Sequence, residues 1–105
     1  MKKITLEEMQ EVFEERINGR CVTVTHETEN GISPATFNNI ELVLYKNGEI
    51  HFCEQDEEAH YSKIFKSSNI EEIDFLDYTN MPGQTGGQIL IHYKNGDKLD
   101  ITADF

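Results

Sequence analysis

The chain has 105 residues, with 20 acids against nine bases and a formal net charge of −11 at pH 7. Such a charge repels nucleic acid and anionic membrane surfaces, so direct binding to either is not expected. A hydrophobic fraction of 37% without any Trp allows one small domain over residues 1–105, built on Ile, Leu, Val, Phe and Tyr.

No apolar stretch approaches the roughly 20 residues of a membrane span. Met1-Lys2-Lys3-Ile4 begins like a signal peptide, but Glu7 and Glu8 stand where an apolar region should follow. The expectation is a cytoplasmic protein, with Cys21 and Cys53 as buried thiols rather than a disulfide.

The spacing predicts a helix over 5–18. Thr5 and Glu8 form a capping box, and Ile4 and Met9 occupy the staple positions. Leu6, Met9, Val12, Phe13 and Ile17 make an apolar stripe that belongs to the core. Asn18-Gly19 supplies the stop. The other face carries Glu7, Glu8, Glu11, Glu14 and Glu15. Glu7/Glu11 and Glu11/Glu15 are like-charge pairs at i,i+4, each costing a few tenths of a kcal/mol. No Lys or Arg stands at i+3 or i+4 to relieve them.

Residues 20–28 alternate as a strand, with Val22, Val24 and His26 on one side. Glu29-Asn30-Gly31 turns it, and Ile32 to Asn39 reads as a loop. The phrase Tyr-Lys-Asn-Gly then occurs at 45–48 and again at 93–96, each time between apolar, β-prone runs. Asn-Gly in that setting predicts a hairpin with a two-residue loop. The pairs Lys46/Glu49 and Lys94/Asp97 would close the two turns.

That loop length pairs Leu44 with His51 and Leu42 with Cys53 in the first hairpin. Its second face then holds Val43, Tyr45, Ile50 and Phe52. Both faces are apolar, so this hairpin should be central. In the second hairpin the same rule puts Leu90, His92, Leu99 and Ile101 together. Its other face mixes Ile89, Ile91 and Tyr93 with Lys98, Asp100 and Thr102, so it should lie nearer an edge.

Between the hairpins, Glu54, Asp56, Glu57 and Glu58 form an acidic connection. Ala59 to Lys66 reads as a strand, and Ile70 to Tyr78 as a further strand rather than a helix. Thr79 to Gln88, rich in Gly, Pro and Asn, reads as a surface loop.

No motif carries chemistry. The loop Pro82-Gly83-Gln84-Thr85-Gly86-Gly87 is neither a dinucleotide fingerprint nor a phosphate loop. His51 and Cys53, taken with Cys21, His26 or His92, match no metal spacing. Glu71, Glu72, Asp74 and Asp77 single out no acid/base pair. No enzyme activity, cofactor or metal is expected.

A hairpin, a further strand, then Ser68-Asn69-Ile70-Glu71-Glu72-Ile73 leading to a second hairpin looks like part of a bacterial PH-like domain, without that family's closing helix. A leading helix before about five strands is similar to the Sm-like barrel, without an Sm motif. Neither resemblance transfers a functional residue. The expected fold is α+β: an N-terminal helix on one bent antiparallel sheet of about six strands, curling toward a partial barrel.

The functional expectation is a small non-catalytic protein-interaction module for a partner with a basic surface. Its candidate contacts are Glu7, Glu8, Glu11, Glu14, Glu15, Glu54, Asp56, Glu57 and Glu58. The alternative is a nucleic-acid mimic that inhibits a DNA- or RNA-handling enzyme. In size and charge alone, the chain is similar to the small acidic anti-CRISPR proteins of phages.

Overall fold

The computed structural model describes residues 2–55 and 62–104. The chain begins with β1 (Lys2–Lys3) and helix α1 (Leu6–Val12), which runs into a π-helical turn over Phe13–Ile17. Then follow β2 (Val22–Thr28), β3 (Gly31–Phe37), β4 (Ile40–Leu44), β5 (Glu49–Glu54), β6 (Ser62–Lys66), β7 (Ile70–Asp77), β8 (Gly87–Tyr93) and β9 (Lys98–Ala103). The strand expectation for 70–78 therefore holds.

The helix starts as its residues dictate. Thr5 Oγ1 accepts the Glu8 amide at 3.1 Å, and Glu8 Oε1 accepts the Thr5 amide at 3.1 Å. Met9, Phe13 and Ile17 all bury in the core. In an α-helix their spacing of four drifts about 40° per step around the axis. The wider π turn brings Ile17 back into line, closed by the Asn18 amide donating to the Phe13 carbonyl at 2.7 Å.

All pairings among the described residues are antiparallel, and the architecture is α+β. The strands form a six-stranded sheet, ordered β1-β7-β8-β9-β2-β3, and a three-stranded sheet, β4-β5-β6. The expectation of one sheet of about six strands curling into a partial barrel is corrected: nine described strands lie in two sheets that do not close. Much of the stretch from Ile32 to Asn39, read as loop, belongs to edge strand β3 (Gly31–Phe37) against β2. Pro34 fits there because an edge strand can spare one N–H.

The register corrects both hairpins. Leu44 pairs with Ile50 and Leu42 with Phe52, not with His51 and Cys53. Ile91 pairs with Leu99 and Ile89 with Ile101. Each loop has three residues, with Tyr45 opposite Glu49 and Tyr93 opposite Asp97. Gly48 (φ +88°) and Gly96 (φ +93°) are left-handed, while among the described residues none other than Gly has positive φ. Asn47 and Asn95 therefore cannot make the two-residue turn that Asn-Gly suggested. Their side chains instead accept the amides of Glu49 and Asp97, both at 3.0 Å.

One residue of slip exchanges every face of a strand. The apolar alternates therefore gather on one side of each hairpin. Ile40, Leu42, Ile50 and Phe52 are buried together, as are Ile89, Ile91, Tyr93, Leu99 and Ile101. His51, Cys53, Leu90 and His92 fall on the opposite faces. The expected positions are reversed as well. The β8–β9 hairpin is central in the larger sheet, and β4 is an edge of the smaller one.

The two sheets and the helix share one core. Phe13 from the π turn packs on Phe52 of β5 with ring centroids 5.9 Å apart. Phe52 meets Phe65 of β6 at 6.0 Å, and Phe65 stacks on Tyr93 of β8 at 5.6 Å. Fully burying each such ring stabilises the fold by roughly 2–3 kcal/mol. Past the helix end, two backbone hydrogen bonds tie the chain to β4: the Gly19 amide donates to the Ile40 carbonyl, and the Ile40 amide donates to the Arg20 carbonyl.

Candidate functional site

Two surfaces carry the polar chemistry: the outer face of the helix and a cleft between the two hairpin turns. On the helix, Glu7, Glu11, Glu14 and Glu15 are exposed. Glu8 is occupied by the capping box. Arg16, the one base of this segment, turns to β7, where its Nη1 lies 2.6 Å from Asp77 Oδ2. No described ion pair neutralises the four exposed carboxylates.

Glu54 stands at the end of β5. Its carboxylate accepts the amides of Asn38 at 2.8 Å and Asn39 at 2.6 Å, holding the bend between β3 and β4. Asp56, Glu57 and Glu58 lie outside the described residues.

The cleft was not anticipated, although the repeated phrase marks it. The Ser67–Asn69 turn joins the two hairpin loops. Ser67 donates its amide to the Gly48 carbonyl at 2.7 Å, and Lys94 donates its amide to the Asn69 carbonyl at 2.8 Å. An open cleft of about 390 Å³ lies there, lined by His26, Glu49, Phe65, Lys66, Tyr93 and Asp97, with Asn69 and Asn95 beside them. A wider hollow of about 670 Å³ shares Asn95 and Asp97 with it.

The acids that follow each Gly do not pair with the lysines before it. Glu49 Oε2 lies 3.2 Å from His51 Nε2, and Asp97 Oδ2 lies 3.3 Å from His26 Nε2. The His51 contact, then that of Asn47, lowers the Glu49 carboxyl below its ordinary value. His26 meets Phe65 edge-on at 5.4 Å. Tyr93 is 5% exposed, and its hydroxyl is buried without a hydrogen-bond partner. Burial first, then the Asp97 charge, pushes the Tyr93 phenol far above its ordinary value.

The remaining candidates disperse. His92 Nε2 pairs with Asp74 Oδ2 at 3.0 Å on the outer face of the larger sheet. Cys21 is exposed rather than buried, and Cys53 is half-buried; both are free. Burial, then the Glu41 charge, raises the Cys53 thiol. Among the described residues, no three His, Cys, Asp or Glu side chains lie close enough to hold a metal ion. No helix among them is long and apolar enough to cross a membrane.

Comparison with protein-family models, with curated proteins and with solved structures finds no match to this chain.

Proposed function

We propose that this is a small acidic, non-catalytic protein-interaction module, acting in the cytoplasm, that docks a partner's basic surface against the outer face of its helix. One observation carries the reading. Glu7, Glu11, Glu14 and Glu15 stay exposed, with no ion pair to them among the described residues, while Arg16 is engaged by Asp77 on β7. Like charges at i,i+4 destabilise a helix, so the arrangement carries a standing electrostatic cost that a cationic partner would remove.

The test is capture of binding proteins on immobilised wild-type chain and on a Glu11→Lys, Glu14→Lys, Glu15→Lys variant. The reading expects basic proteins retained by the wild type, released by moderate salt and lost from the variant. Equal capture by both rules the helix face out. Competition by duplex DNA for the same captured protein would move the reading to a nucleic-acid-mimicking inhibitor.

A further inference from the structure

We propose that the cleft between the two Tyr-Lys-Asn-Gly turns is a binding site for a guanidinium group, the side-chain head of arginine. The site is separate from the helix face and does not depend on it. Three observations meet there.

The first is the aromatic wall. Phe65 and Tyr93 line the cleft with their rings stacked at 5.6 Å and 20°. The two rings face each other, so half-buried Phe65 supplies the aromatic surface left to the cleft, and guanidinium is both flat and weakly hydrated. The second is charge. Glu49 and Asp97 stand on opposite turns, and Lys66, opposite Glu49 in the β5–β6 register, offsets one of them. The lining carboxylates still outnumber its one lysine, inside a chain of net −11. An anionic ligand is disfavoured and a cation is drawn in.

The third is the orphan hydroxyl of Tyr93. A buried hydroxyl without a partner is costly, and native structures seldom keep one without a reason. Its oxygen is an empty acceptor. Guanidinium carries five donors and no acceptor, so it suits a lining that holds two carboxylates above an unpaired hydroxyl oxygen. An ammonium is a compact, strongly hydrated point charge that stacks less well, so lysine is the weaker ligand.

The experiment is a titration of the isotope-labelled intact chain, followed by amide chemical shifts. The probes are N-acetyl-arginine amide, free arginine, N-acetyl-lysine amide and the uncharged isostere citrulline. Saturable shifts confined to residues around Glu49, Phe65, Lys66, Asn69, Tyr93, Asn95 and Asp97 are expected with both arginine compounds. Lysine should bind several-fold more weakly and citrulline should give no saturable shift. Asp97→Asn should weaken arginine binding about tenfold with the spectrum otherwise retained, and Glu49→Gln should act in the same direction.

A stronger response to the blocked amide than to free arginine assigns the site to an arginine of a protein partner. The reverse order assigns it to the free amino acid. Equal shifts from citrulline, or arginine shifts confined to the helix, would overturn the proposal. The Glu11→Lys, Glu14→Lys, Glu15→Lys variant should keep the cleft titration unchanged, so failure of either surface is distinguishable from failure of the other.

Discussion

Arg16 and Asp77 are 61 residues apart in sequence, yet Arg16 Nη1 sits 2.6 Å from Asp77 Oδ2. The pair ties the π-helical turn to the end of β7. Asp77 also caps the short turn over Tyr78–Asn80, accepting the Thr79 amide at 2.9 Å. It thereby fixes both the helix end and the exit of a strand.

Asp77 predicts a specific pH dependence. Its contact with the Thr79 hydroxyl, then that with Arg16, holds its carboxyl below the ordinary 3.8. A depressed folded-state value means stability that is fully present above the unfolded value and lost as pH falls through the folded one. Asp77→Asn keeps a cap of equal quality but loses the charge that Arg16 meets, and should cost about 0.5 kcal/mol near neutrality. The gap from wild type should close well below pH 4, and urea unfolding at a series of pH values measures it.

Two glycines of one loop should respond differently. Gly86 has φ +83°, and a Cβ there would collide with the Ala103 carbonyl oxygen of β9. Gly83 has φ +75° but open space around it. Gly83→Ala should therefore cost about 1 kcal/mol, from backbone strain alone. Gly86→Ala adds a clash with backbone that cannot step aside and should cost about 3 kcal/mol. Denaturation midpoints of the two variants test the order.

Tyr93→Phe removes a hydroxyl that is buried without a partner. Stability at neutral pH should be unchanged or higher by about 1 kcal/mol, an unusual result for a core tyrosine. The alkaline limb should change too. The phenol is raised in the folded state, so stability linked to it is present below its ordinary 10.0 and falls as pH climbs above that value. The variant should lose this part of the alkaline decline, as thermal unfolding at high pH would show.

Glu11 stands four residues from both Glu7 and Glu15. Glu11→Lys turns two repulsive pairs into attractive ones and should stabilise the chain by about 0.5 kcal/mol. That corresponds to a rise in Tm of about 2–4 °C. A fall in Tm would mean that the helix face is not in the repulsive state its charges imply.

What the sequence by itself determined is local. The capping box of Thr5 and Glu8, the stripe from Leu6 to Ile17, the strand at 70–77 and the two hairpins follow from interactions within a few residues. They were readable because backbone and neighbouring side chains settle them. The helix charge was legible in the same way, but not the fate of Arg16, whose partner lies on β7.

Only the tertiary structure decided the rest. Asn47 and Asn95 keep negative φ and bond the following amide, so each loop gains a residue and every face exchanges. Local propensity permits either loop, and burial of Ile50, Phe52, Leu99 and Ile101 selects one. Residues 31–37 become a strand because β2 offers them an edge, despite Pro34. The cleft has no signal in any single segment. It exists because the turn over Ser67–Asn69 holds two hairpin loops from different sheets together, bringing Glu49 and Asp97 to one place.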